Sequence, residues 1–199
     1  MPTASTAQLR WVSCRMLAPL RVAFIAGPRG AWQIERLECV VGDSLPAADR
    51  LSVVEGLEQP VAEGAAWVLR GVTSNSRYTH RSELDALAAK QQGLGRPEAT
   101  RAALIPIRKT DMWWALGQDE RRTIFEETSK HIGIGLEYLP AVARRLHHSR
   151  ELGEPFDFLT WFEYPPSAAT AFEELVQRLR ATEEWRYVDR EVDIRLTRL

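Results

Sequence analysis

The sequence predicts an α+β fold, and three observations carry that expectation. Val192, Ile194 and Leu196 alternate with Asp193 and Arg195, the two-residue period of a half-buried strand. Phe172, Leu175, Val176 and Leu179 recur at the spacing of one helical face, behind Thr170 and Glu173 as a capping box. Strand-like and helix-like runs follow one another in a similar order twice along the chain. That order suits two units, each an antiparallel sheet with helices on one side.

Taken in order, Val22–Ala26 and Trp32–Val41 read as strands around a Gly-Pro-Arg-Gly turn, a hairpin signal. Residues 42–66 form a mixed connection in which Pro46–Val54 could hold a short helix, with the proline in its first turn. Trp67–Val72 is a short apolar strand. Ser82–Gln91 is a helix capped by Ser82, with Gly93 just past its end. The second half opens with the strand Ala102–Ile107, where Pro106 implies an edge or a bulge. A long helical region follows from Asp111, with turns available at Gly117, Gly133–Gly135 and Pro140. Phe156–Tyr164 is a strand ended by Pro165-Pro166, and the amphipathic helix and the alternating strand close the chain.

Composition narrows the function. Of 199 residues, 45% are hydrophobic and 27% charged, enough apolar material for a core. The formal net charge of −1 argues against nucleic-acid and membrane-surface roles, which need a concentrated positive field. Cys14 and Cys39 form neither a CxxC nor a CxxCH. Arg10, Arg15 and Arg21 interrupt every apolar run long enough for a secretory signal, so residues 1–19 read as a disordered extension and the protein as cytoplasmic. No segment reaches the length of a membrane span. There is no HExxH, P-loop or GxGxxG.

The densest chemistry lies in residues 101–150. It holds a paired tryptophan (Trp113, Trp114), a histidine followed by small residues in HIGIG (His131), and two arginines in LPAVARRL (Arg144, Arg145). Downstream, TEEW supplies Glu184. Read alone, His131 is more readily a surface histidine than a ligand, and either arginine a solvated one. His147-His148 lacks a nearby carboxylate pattern for a metal.

Residues 101–150, with GEPFDFLTWFEY (153–164) and TEEWRYVDREVDIRL (182–196), resemble the chlorite dismutase family, especially its shorter bacterial members. The resemblance runs from about Trp67 to the C-terminus; upstream, RVAFIAGPRGAW (21–32) resembles the family's first strand and turn. It implies duplicated ferredoxin-like units of the dimeric α+β barrel type, residues 20–100 being a trimmed N-terminal unit and 101–199 a haem-binding C-terminal one. It also implies a homodimer.

The implied cofactor is haem b, ferric at rest and held non-covalently, since no CxxCH is present. Matched onto the family's positions, His131 is the axial ligand of the haem iron and Glu184 the carboxylate that accepts its other N–H, making the imidazole more electron-donating. Lys109 and Trp113 support that proximal side. Trp114 lines the haem edge or donates its indole N–H to a propionate. Asn75, Arg77 and Tyr78, in SNSRY, resemble the propionate side, though an exposed turn would read the same. Arg144 is the distal catalytic residue. On one continuous helix it would lie about 20 Å from His131, so the chain must turn between them.

The implied reaction converts chlorite to chloride and dioxygen through a ferryl haem and transient hypochlorite, which a permanently charged, planar guanidinium would retain. Two alternatives share the fold: a coproheme decarboxylase, whose relatives lack the distal arginine, and a non-catalytic haem carrier or sensor, which would need His131 but not Arg144.

Overall fold

The computed structural model describes residues 19–56, 63–73 and 77–199. The extension expected at residues 1–19 therefore lies almost wholly outside them, as does Asn75. Eight strands form a closed barrel: β1 (Arg21–Gly27), β2 (Trp32–Val41), β3 (Arg50–Glu55), β4 (Trp67–Val72), β5 (Arg101–Lys109), β6 (Ala143–His148), β7 (Phe158–Tyr164) and β8 (Val188–Arg198). Around the ring they run β1-β3-β2-β8-β5-β7-β6-β4. Entered at β4, each half has the same order: fourth strand, first, third, second. The duplication is thus visible in the topology.

The halves differ in what connects the strands. In the second, α2 (Asp111–Ala115), α3 (Gln118–Arg122), a π-helical turn (Thr123–Thr128) and α4 (His131–Glu137) join β5 to β6, and α5 (Ala169–Arg180) joins β7 to β8. In the first, four residues join β1 to β2. The helix α1 (Arg81–Lys90) links the halves.

Several local expectations change. β1 and β2 are not a hairpin, because β3 lies between them: Leu51 pairs with both Ala26 and Trp32. The four-residue connection crosses over β3, and Gly30 lies on the Leu51 backbone where no Cβ could fit. Pro46–Val54 is loop and strand, not helix, since the half-buried Val53 and buried Leu51 belong to the barrel. α1 starts after His80, whose N–H donates to Glu83 Oε2 at 2.7 Å, so Ser82 is not its cap. α5 begins behind a 3₁₀ turn with Ala168 before it, and Thr170 is an interior residue. Pro106 is not on an edge: β5 pairs with β7 throughout, and the β5–β8 register skips Ile105 and Pro106, where the missing N–H is tolerated.

Two apolar clusters follow. Phe24, Leu51, Leu69, Leu104, Trp161 and Ile194 fill the barrel interior. Ile105, Phe162, Phe172, Leu175, Val176 and Leu179 join the outer face of the second sheet to its helices. The last strand is consequently buried on both faces. Its outward Glu191, Asp193 and Arg195 lie beneath α5, where Arg180 binds Glu191 and Asp193, and Arg195 pairs with Glu173.

Candidate active site

A cavity of about 350 Å³ lies between the second sheet and its helical layer. Its sheet wall is a grid set by strand register. Ile107, Phe158 and His148 form one row; Ile105, Thr160 and Leu146 the next; Phe162 and Arg144 face each other in the third. The helical wall includes His131, Ile132, Val176 and Leu179.

His131 is the first residue of α4 and presents its ring from the helical wall. Its Nδ1 is 2.7 Å from Glu184 Oε2, and the Phe125 ring stacks on it at 4.5 Å. The other Glu184 oxygen accepts from Lys109 Nζ at 2.7 Å. Ser129 Oγ accepts the Glu184 N–H at 2.9 Å, fixing the backbone of that carboxylate. Burial alone would push the Glu184 pKa up, but the Lys109 charge and His131 outweigh it and bring it down to about 2. A buried carboxylate ionised at neutral pH therefore faces Nδ1, which selects the tautomer with a proton there and leaves Nε2 as the basic nitrogen. Lys109 Nζ also lies over the rings of Trp113 (4.7 Å) and Trp185 (5.5 Å).

The two tryptophans diverge. Trp113 is buried and lines the cavity, and its indole N–H has no partner among the described residues. Trp114 points elsewhere: its Nε1 donates to Asp157 Oδ2 at 3.2 Å, and Arg150 lies 4.1 Å over its ring. Its indole proton is thus already committed to a carboxylate of the protein. Tyr78 and Arg77 line the cavity. The Tyr78 hydroxyl accepts from Arg121 Nη1 at 3.1 Å, and Arg77 pairs with Glu151 at 2.5 Å.

Arg144 and Arg145 lie on strand β6, not on a helix. The chain turns between His131 and Arg144 at residues 138–142, around Pro140, whereas Gly133 and Gly135 stay helical. Successive strand residues point to opposite faces. Arg144 shares the cavity face with Leu146 and His148, and its guanidinium lies against Gly135 of α4. Burial lowers its pKa and the Glu126 charge opposes that shift. Arg145 instead pairs with Glu55 at the end of β3.

The same alternation separates His147 from His148, so the two cannot grip one ion. His147 is buried against Phe24 with Nδ1 on the Leu159 carbonyl, while His148 lines the cavity. Burial pulls the His147 pKa down to about 4. Four further contributors escaped sequence reasoning: Phe125, Glu126, Trp185, and Gln91, whose Nε2 donates to the Arg144 carbonyl at 2.9 Å. Trp185 lies inside the TEEW motif beside Glu184, whereas only the folded geometry reveals the other three.

The family model described as chlorite dismutase matches residues 58–199. The chain is 58% identical to a dimeric chlorite dismutase from Nitrobacter winogradskyi, with a TM-score of 0.84 over 89% of this chain and 99% of that one. A chlorite dismutase from Candidatus Nitrospira defluvii, solved in complex with imidazole, is 21% identical, with a TM-score of 0.64 over 89% of this chain and 91% of that one, and shares the fold. A mutant of the Nitrospira protein in complex with cyanide matches over 89% and 90% of the two chains at 20% identity and a TM-score of 0.64. By its match over most of its length and its identity to the Nitrobacter protein, this chain belongs to the chlorite dismutase family.

Proposed function

We propose that the protein is a haem b enzyme that decomposes chlorite to chloride and dioxygen. One observation carries the reading: an imidazole fixed at Nδ1 by an ionised carboxylate stands on the helical wall of a cavity whose sheet wall carries Arg144. The residues fit a haem. His131 would hold the iron through Nε2, Ile105, Ile107, Phe162, Val176 and Leu179 would supply apolar walls for a flat macrocycle, and the Trp113 N–H, unpartnered among the described residues, would offer a donor. Arg77 and Tyr78 are suited to its carboxylates. No cluster of three His, Cys, Asp or Glu side chains suited to a bare metal ion occurs among the described residues.

Haem, when bound, would supply a redox-active iron for the cleavage of the Cl–O bonds and the formation of the O–O bond. Glu184 holds the proton of His131 Nδ1 in place, and Lys109 keeps Glu184 anionic. Arg144 orients the chlorite anion with a planar, permanently charged fork, and holds transient hypochlorite against escape. Conversion of ClO₂⁻ to Cl⁻ and O₂ transfers no net proton, so an arginine, which cannot serve as a general base, suffices. We infer that the working form is a homodimer, by similarity to the dimeric Nitrobacter protein. No helix among the described residues is long and apolar enough to cross a membrane. Oxygen evolution on adding chlorite to haem-loaded protein tests the reading. A stable Soret band without oxygen would overturn it in favour of a carrier or sensor.

A further inference from the structure

The first turn of α4 carries His131 but is not capped in the usual way. Amides at the second and third helical positions are ordinarily accepted by the side chain of the preceding cap residue. Here that residue is Lys130, whose ammonium can only donate, and whose backbone is left-handed (φ 55°). Both amides are accepted instead by Glu126: Oε2 takes the Ile132 N–H at 2.5 Å and Oε1 the Gly133 N–H at 3.2 Å. The Glu126 carbonyl also accepts the Lys130 N–H at 3.0 Å, at the kink itself.

The π-helical turn Thr123–Thr128 makes this possible. Its wider winding puts Phe125 against the face of the His131 ring while Glu126 reaches the amides. Single π turns of this kind recur at functional sites. Glu126 also provides the carboxylate charge felt by Arg144, whose guanidinium crosses to Gly135 on the same helix.

We propose that Glu126 is a positioning residue for the haem ligand: by clamping the first turn of α4 from the π-helical turn, it sets the backbone from which His131 meets the iron. The proposal rests on the haem reading above. Glu184 fixes the rotation of the ring; Glu126 fixes where the ring is attached. A negative charge at a helix N-terminus is favourable in itself, but that stabilisation is indifferent to which residue follows. A clamp on the ligand's own turn is not.

The experiment compares haem-loaded parent, Glu126→Ala, Glu126→Gln and Glu137→Ala, the last removing a carboxylate at the other end of α4 that pairs with Arg178. Two readouts are used: the rate of haem transfer to excess apomyoglobin, and the ferric electron paramagnetic resonance signal. Glu126→Ala should release haem about tenfold faster and broaden the ferric signal, the size expected from losing one helix cap. Glu126→Gln, which keeps an acceptor oxygen, should lie within about threefold of the parent. Glu137→Ala should match the parent. Equal release and unchanged resonance in Glu126→Ala would overturn the proposal, as would an equal effect of Glu137→Ala, which would reduce it to helix stability. If Glu126→Ala does not fold, Glu126→Asp takes its place: its carboxylate is one methylene too short to hold both amides, so it should release haem faster than the parent, and parental release with an unchanged resonance would overturn the proposal. A parent that takes up no haem would sink the haem reading and is seen before any variant is compared.

Discussion

The guanidinium of Arg144 rests on Gly135, the fifth residue of the helix that begins at His131, and a Cβ at 135 would overlap it. The contact joins the strand that carries the arginine to the helix that carries the histidine. Gly135→Ala therefore separates fold from function. The obstructed group is the mobile end of a long side chain, and alanine in a helix is favoured over glycine by up to about 1 kcal/mol. The variant should melt at or above the parent temperature while losing roughly tenfold in kcat/KM for chlorite. Unchanged turnover would show that Arg144 acts from another rotamer.

On the proposed function, with His131 holding haem from the other wall, Arg144→Ala should keep haem and lose about ten- to a hundredfold in chlorite turnover, the worth of a charged hydrogen bond of about 1.5–3 kcal/mol. Hypochlorite should escape and bleach it faster, and added methionine should protect it more than the parent. Arg145→Ala, which breaks the Glu55 pair at the cavity margin, should leave both quantities near parental values. Bleaching confined to Arg145→Ala would refute the assignment.

Glu184 links the site to acid stability. Its folded pKa of about 2 lies below the ordinary 4.5, so its contribution is complete above pH 4.5 and is lost as the pH falls towards 2. Asp193, buried but held down by Arg195 and Arg180, acts in the same direction. Urea melts should weaken across that window. Glu184→Gln should flatten the dependence and cost roughly 3 kcal/mol or more at neutral pH, because Lys109 remains buried without a counter-charge. It should also raise the iron reduction potential, whereas His131→Ala should lose most haem.

Light scattering should report two chains per particle. Closed two-fold assemblies are the commonest for soluble proteins, and the Nitrobacter relative is dimeric. A pentameric mass would contradict this.

The second unit was the more legible half. The helical face of α5 follows from periodicity, the strand expected at Phe156–Tyr164 starts two residues later at Phe158, and Glu184, Lys109 and His131 meet as their motif positions imply. Strand order was not legible, because pairing in the first unit depends on β3 entering between strands that look like a hairpin. The element holding Arg144 was misread for a similar reason: ARRLHH carries charges on both faces, since one face borders a cavity and the other an ion pair, and neither pattern advertises a strand. Trp114 took the opposite course, its indole satisfied by Asp157, a buried carboxylate set in the apolar run of GEPFDFLTWFEY.

The barrel closes through a narrow seam. Among the described residues, β6 pairs with β7 from Ala143 to His148 and with β4 at Val72 and His148. Before that point its described partners are β7 and the Gln91 side chain, which donates to the Arg144 carbonyl. The histidine and the arginine therefore sit on mountings of different kinds: one on a helical turn clamped by Glu126, the other on a strand held by β7 and a single side chain among the described residues. Deuterium should enter the amides of residues 143–147 before those of β5 and β7, and a ligand too large for the cavity would be accommodated by the arginine's wall giving way while the histidine's holds.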